Sequence, residues 1–319
     1  MDYCIGVDLG GTNIAVGIID LQTKKIIKKA SIKTKAPRSC EEISEDIVNL
    51  CSNLSTQIGL SLKSMKWIGI ATPGTVHSGI VSLSGNLGWE NAPIVNCVKE
   101  MSGVKTFATN DAHAAAYAEY TWGVGKGCSS LVAVTIGTGV GGAFVFGGRI
   151  WGGNNAFAGE IGHMILEMDG RPCSCGKLGC LEAYCSSRAI IRRCRELMRL
   201  YPYSLMWQVC DGDIDKVNAS TPFRAKELGD AAADMVIDEF VKYLSMGVSN
   251  IINILQPDII CIGGGLSAQG HLYIDSLRKH VEQLSFGYVS GRTKIELAEY
   301  KNNAGIIGGA LLGLQEKFK

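Results

Sequence analysis

Two strand-turn-strand segments, far apart in this 319-residue chain, share one design. Tyr3 to Asp8 and Ile14 to Ile19 flank Gly10-Gly11-Thr12, while Leu131 to Ile136 and Ala143 to Phe146 flank a turn containing Gly137, Gly139, Gly141 and Gly142. Apolar runs broken by glycine predict tight hairpins. A hairpin that recurs predicts a duplicated lobe, and the chain exceeds the length at which a single hydrophobic core usually stops growing. Two lobes with a cleft between them are expected.

The stretches around the hairpins extend this α/β pattern. Ile26 to Lys33 alternates as a third strand, and Ile43, Ile47, Leu50, Cys51, Leu54 and Ile58 recur at helical spacing before a strand at Trp67 to Ala71. Thr106 to Thr109 predicts a strand ending at Asn110-Asp111, followed by an alanine-rich helix from Ala112 to Trp122. Val236, Phe240, Leu244, Val248 and Ile252 form an i+4 stripe that Pro257 stops, before a strand from Asp258 to Ile262 runs into Gly263-Gly264-Gly265. A last helix is expected from Ala304 to Phe318.

Composition narrows the partners. With 31 basic and 30 acidic side chains there is no net field for a polyanion, so nucleic acid is not expected as a partner. The start lacks a basic segment and a long apolar run, which predicts no secretory signal and a cytoplasmic location. The charge-free run from Gly127 to Gly148 is broken by glycines, Thr135 and Thr138, so it reads as strand-turn-strand rather than as a membrane span. Twelve cysteines without a signal imply reduced thiols, and only Cys173, Cys175 and Cys180 cluster along the sequence.

Four constellations carry possible chemistry. Asp8-Leu9-Gly10-Gly11-Thr12-Asn13 places an acid, two glycines and a hydroxyl on one turn, which suits backbone N–H groups facing a phosphate with Asp8 holding a metal-bound water; an ordinary hairpin is the alternative. Gly137, Thr138 and Gly139 form a second such turn. With Gly142 it satisfies G-x-G-x-x-G, but a dinucleotide fingerprint must open a helix, and Ala143 to Phe146 reads as a strand. Gly264 and Gly265, after a buried strand, suit a third close approach, to the nucleoside end. At Asn110-Asp111, Asp111 is the candidate general base for phosphoryl transfer to a hydroxyl, and plain helix capping is the alternative. Finally, His163 with Cys173, Cys175 and Cys180 matches a Cys3His zinc set, with an iron–sulfur cluster or a buried-core role for Cys180 as alternatives.

Together these residues resemble the ROK family of sugar kinases and repressors, within the actin-like (ribonuclease-H-like) ATPase superfamily. The resemblance rests on Asp8 to Thr12, Ala71-Thr72-Pro73-Gly74, Asn86-Leu87-Gly88-Trp89, Asn110-Asp111, Gly137 to Gly142, Glu160-Ile161-Gly162-His163, the cysteine loop through Glu182, and Asn303 to Ala310. It implies a smaller lobe of residues 1–110 plus 303–319, and a larger lobe of 111–302 with the zinc loop and a dimer interface. It implies further that Asp111 is the base toward the 6-hydroxyl of a hexose. Gly74, Asn86, Asn110, Glu160, His163 and Glu182 would line the sugar site. Asp8, Gly10, Gly11, Thr12, Asn13, Gly137, Thr138, Gly139, Gly264 and Gly265 would serve ATP and Mg2+, and the zinc would be structural. Glucose is the expected acceptor, and N-acetylmannosamine or another hexose is the alternative. A sugar sensor without catalysis is the alternative of another class. A repressor of this family would carry a helix-turn-helix ahead of the first turn, for which the first eight residues leave no room.

Overall fold

The computed structural model describes residues 2–287 and 292–318. The chain opens with β1 (Tyr3–Leu9), β2 (Asn13–Asp20) and β3 (Lys25–Lys33), then α1 (Cys40–Gln57) and β4 (Ile68–Thr72). A short meander follows, β5 (Thr75–His77), β6 (Ile80–Ser84) and β7 (Trp89–Ala92), and then α2 (Ile94–Ser102), β8 (Thr106–Asn110) and α3 (Asp111–Thr121). The second hairpin is β9 (Ser130–Ile136) and β10 (Val140–Phe146), with β11 (Arg149–Trp151) beyond it. Next come α4 (Glu182–Cys185), α5 (Ser187–Leu200), α6 (Met206–Val209), α7 (Thr221–Glu227) and α8 (Ala231–Leu255). β12 (Ile259–Gly263), α9 (Ile274–Leu284), β13 (Lys294–Leu297) and α10 (Ala304–Leu311) complete the regular elements.

The echo seen in the two hairpins extends to whole sheets. One sheet has the order β3-β2-β1-β4-β8 and another β11-β10-β9-β12-β13, while β5-β6-β7 form a small third sheet. In the first, β1 runs antiparallel to β2 and parallel to β4, which runs parallel to β8. In the second, β12 runs parallel to both β9 and β13. The register aligns Asp8 with Ala71 and Ala71 with Thr109, so Asp8 and Asn110-Asp111 reach the same C-terminal edge. Crevices outside the carboxyl ends of parallel strands are where α/β sheets bind ligands.

By their contacts, the residues form two compact units: Met1–Ser130 with Ala143–Ala158 and Asn302–Lys319, and Leu131–Gly142 with Gly159–Lys301. The boundary read from sequence at 110/111 separates α3 from β8, whereas here α3 stays with the first unit. The reason is backbone packing. A Cβ on Gly308 of α10 would lie 1.8 Å from the Ala114 carbonyl oxygen of α3, so only glycine lets these two helices touch.

Helix ends follow local chemistry. Ser39 and Glu42 form a capping box at the start of α1, and the carboxylate of Asp230 accepts from the Ala233 N–H to start α8. The stripe Val236, Phe240, Leu244, Val248 and Ile252 is buried along its length, each residue contributing roughly 1.5–3 kcal/mol. Gln256 ends α8 with a left-handed φ of 42°, one residue before Pro257. The last helix stops earlier than its composition predicts, at Leu311, with 3-10 turns from Leu312 to Phe318. Trp67 Nε1 donates to the Ala310 carbonyl at 2.6 Å, which competes with the α-helical bond that would continue α10.

Candidate active site

In the first unit the turn between β1 and β2 is closed by Gly10 N–H donating to the Asn13 carbonyl at 2.9 Å. It is anchored from below by Thr34, whose buried hydroxyl donates to the Gly10 carbonyl at 2.6 Å and whose N–H donates to the Thr12 carbonyl at 3.0 Å. Thr12 and Asn13 are left exposed at the tip. Gly11 faces Asn86, since a Cβ on Gly11 would meet the Asn86 carbonyl oxygen at 3.0 Å. Asp8, Gly11 and Asn86, distant in sequence, are thus drawn to one edge of the unit.

Asn110 and Asp111 divide the work that the sequence left shared. The Asn110 side chain caps α3, accepting from Ala112 N–H at 2.9 Å and His113 N–H at 3.3 Å, and its amide donates to the Gly74 carbonyl at 3.0 Å. Gly74 has a φ of 99° and its would-be Cβ falls 2.2 Å from the Leu83 carbonyl oxygen, so no other residue presents that carbonyl to Asn110. Asp111 is the first residue inside the helix and accepts from Ala112 N–H at 2.8 Å. It stays open to solvent, yet the protein crowding around its carboxyl raises its pKa above the ordinary carboxylate value. Asp8 is pushed up to about 6, first by burial and then by the negative charge of Asp111. Gly305 at the start of α10 lies against Asp8, leaving no space there for a Cβ, which would sit 2.5 Å from Asp8 Cγ.

In the second unit the turn spans only Gly137 to Gly139, with Gly137 N–H donating to the Gly139 carbonyl at 2.9 Å, and β10 starts at once at Val140. The strand begins three residues before the Ala143 expected from sequence, and no helix opens here, as the dinucleotide fingerprint would require. Glu182 braces this turn. Its Oε2 accepts from Val140 N–H at 2.9 Å and its Oε1 from the Ser174 hydroxyl at 2.6 Å. Thr138 is exposed at the tip, above a cavity of about 130 Å3 walled by Ser174, Glu182, Ser186, Arg188 and Arg192. Gly264, with φ 82°, packs on the end of β9, a Cβ there being 2.4 Å from the Ile136 carbonyl oxygen. Gly265 has open space above it, which suits the approach of a ligand.

The four zinc candidates converge. Their ligand atoms lie within 4.8 Å of one another, with Cys173 Sγ 3.7 Å from His163 Nδ1 and Cys175 Sγ 3.7 Å from Cys180 Sγ. A tetrahedral zinc with 2.3 Å bonds to sulfur has edges of about 3.8 Å, so the donor set and its spacing both fit that ion. His163 Nε2 remains on the other side of the ring, 3.9 Å from Glu160 Oε2, and Glu160 is exposed.

Sequence reasoning missed Thr34, Ser174 and Gly305. Thr34 acts through two hydrogen bonds to the distant Gly10 and Thr12 carbonyls and Ser174 through one to the Glu182 carboxylate, which leave no local pattern. Gly305 had a signal in the small-residue run Asn303 to Ala310, but its contact with Asp8 appears only in three dimensions.

Residues 4–316 match the sequence model of the ROK family. The chain belongs to the ROK family. A Thermotoga maritima protein named Glucokinase is 34% identical to this ROK protein over 309 residues, covering 96% of this chain and 95% of that one. An Escherichia coli N-acetylmannosamine kinase is 29% identical over 317 residues, covering 98% and 99%. Among solved structures, a ROK family glucokinase from Streptomyces griseus in complex with glucose and AMPPNP superposes with a TM-score of 0.80 at 29% identity, covering 97% of this chain and 98% of that one. The ROK protein therefore has the mixed α/β, actin-like fold expected from its sequence. Among its described residues no helix is long and apolar enough to cross a membrane.

Proposed function

We propose that this ROK protein is an ATP-dependent hexose kinase that transfers the γ-phosphoryl group of ATP to the 6-hydroxyl of glucose. Asp111 carries the proposal. Asn110 accepts from both Ala112 N–H and His113 N–H at the start of α3, so the Asp111 carboxylate, which accepts from Ala112 N–H through Oδ1, keeps acceptor sites for a hydroxyl and stands solvent-open at the C-terminal edge of parallel strands. Deprotonated Asp111 accepts the proton of the attacking hydroxyl as the new O–P bond forms and ADP departs with the electrons of the old one.

The remaining roles follow from what each side chain has to offer. In the first unit, Thr12, Asn13 and the N–H groups of Gly10 and Gly11 receive phosphate, while Asn86, Asn110 and the Gly74 segment hold sugar hydroxyls. In the second, Gly137, Thr138 and Gly139 take phosphate and Gly264 and Gly265 take the nucleoside end, while Glu160, His163 and Glu182 contact the sugar. A carboxylate has about four acceptor sites, so Glu182 can brace Val140 and Ser174 and still accept from a hydroxyl. Mg2+ fits beside Asp8, where a half-buried carboxyl faces a second acid, Asp111; the ion would supply charge neutralisation on the phosphates when bound. Zinc held by His163, Cys173, Cys175 and Cys180 supplies a structural staple, leaving His163 Nε2 free to donate to a hydroxyl. A homo-oligomer, most simply a dimer, and a cytoplasmic location complete the proposal.

The glucose-bound Streptomyces griseus neighbour and the Thermotoga maritima glucokinase support glucose as acceptor and ATP as donor. The Escherichia coli relative supports N-acetylmannosamine as the competing acceptor. The test is a coupled ADP-release assay with Mg-ATP against glucose, N-acetylmannosamine, N-acetylglucosamine, fructose, mannose and allose, run beside zinc analysis. Glucose is expected to give the highest kcat/KM. An N-acetylated sugar in first place would keep the mechanism and overturn the acceptor; no turnover from zinc-loaded protein would favour a sugar sensor.

A further inference from the structure

The cysteines outside the metal set have no part in this chemistry, and two of them meet. Cys40 is the first residue of α1 and Cys97 lies within α2, and their Sγ atoms are 3.9 Å apart. We propose that Cys40 and Cys97 are a covalent modification site, which a low-molecular-weight disulfide such as glutathione disulfide converts reversibly to an intramolecular disulfide.

The geometry needs little change. A disulfide has an S–S length of about 2.05 Å, so the sulfurs must close by roughly 1.9 Å, and rotation about the two Cα–Cβ bonds is the motion that brings them together. Both helices pack on one apolar core through Ile43, Ile47, Ile94 and Val98, which holds the thiols in register. Access differs between them: Cys40 is buried at 6% exposure and Cys97 is half-buried. The chemistry therefore has an order. Cys97 thiolate attacks the external disulfide, forming a mixed disulfide and expelling one glutathione thiolate. Cys40, once deprotonated, attacks the Cys97 sulfur and expels the second. Two protein thiols are oxidised, two electrons pass to glutathione disulfide, and two protons leave with the two reduced glutathiones. Burial, and then Cys97, push the Cys40 thiol up to about 12 in the reduced pair, which leaves Cys97 as the thiol that reacts first.

The bond would also reach the loop between β6 and β7. Trp89 Nε1 donates to the Arg38 carbonyl at 2.8 Å, two residues before Cys40, and Pro37 closes over Gly88. Joining Cys40 to Cys97 therefore ties the backbone beside Asn86 to both α1 and α2.

The test uses full-length protein purified with its metal, incubated with glutathione disulfide, alkylated, digested without reduction and mapped by mass spectrometry. The expected result is a peptide pair linking Cys40 to Cys97, released by dithiothreitol, with bound zinc unchanged. In Cys40→Ser a stable glutathione adduct is expected to accumulate on Cys97; in Cys97→Ser, Cys40 is expected to stay reduced. Circular dichroism and zinc content establish that both variants fold. Independent alkylation of Cys40 and Cys97 in the oxidised wild type, a persistent glutathione adduct there, or cross-links confined to Cys173, Cys175 and Cys180 with zinc release would each overturn the proposal. No readout depends on kinase activity, so the inference stands or falls apart from the proposed function.

Discussion

The two glycine hairpins occupy the same places in their sheets but treat their carboxylates in opposite ways. In the first unit Asp8 and Asp111 face each other at the sheet edge, and both pKa values are raised by burial. In the second, both oxygens of Glu182 are engaged by Val140 N–H and the Ser174 hydroxyl, and the turn closes down on that carboxylate. A Cβ on Gly139 would sit 2.3 Å from Glu182 Oε2. A duplicated frame has thus diverged into one edge whose acids are free to act and one whose acid is built into the scaffold.

The largest effect should come from removing the acting acid. Asp111→Asn is expected to lower kcat about 10^2 to 10^4-fold while calorimetry finds sugar and ATP affinity within a few fold, and normal turnover would break the contrast. In the wild type, kcat/KM should fall as pH drops through the raised Asp111 value, so the acid limb should lie above the ~3.9 of an ordinary aspartate. Zinc removal probes the scaffold edge. Chelation is expected to cost on the order of 4 kcal/mol if free zinc had stood at a thousandfold over Kd, read as a Tm lower by roughly 6 °C, with activity restored by added zinc.

Asp8 sharpens the comparison through stability. Its folded pKa of about 6 exceeds the unfolded value, so the folded state is penalised as pH rises from about 4 through 6, and the full penalty applies above that. Asp8→Asn escapes it. In apo protein the variant is expected to be more stable than wild type by about 2–3 kcal/mol at pH 8 and equal to it near pH 4, while losing activity; equal denaturation midpoints at pH 8 would mean Asp8 is not strained. The smallest effect is expected from Glu182→Gln, which removes charge from two hydrogen bonds and costs about 1–2 kcal/mol of stability in urea titration. A gain in stability there would mean that Glu182 is also a strained, acting acid.

The parts legible in sequence were those written in short-range pattern. Apolar alternation around Gly10-Gly11 and Gly137 to Gly139 announced both hairpins, and the i+4 stripe from Val236 to Ile252 announced α8. The zinc quartet was legible because three thiols and an imidazole have few other uses in proximity, although only folding shows that they meet within 4.8 Å. Between Thr75 and Ala92 the strands are three to five residues long, too short for periodicity to speak, and the β5-β6-β7 sheet went unread. The pairing of Cys40 with Cys97 was equally silent, being a contact across 57 residues of chain.

By itself the sequence determined the two hairpins, the helices α1, α3 and α8, where glycine permits a turn and which side chains carry acids, thiols and imidazole, because these depend on local backbone preference and on chemistry each residue owns. Tertiary structure alone decided that Asn110 is the N-cap of α3 and Asp111 its first residue, that Glu182 is a brace, that Gly305 lies against Asp8 and that α10 ends where Trp67 takes the Ala310 carbonyl. Those outcomes rest on hydrogen bonds and close approaches between residues remote in the chain, and their partners are chosen by sheet register and helix packing, which no local pattern encodes.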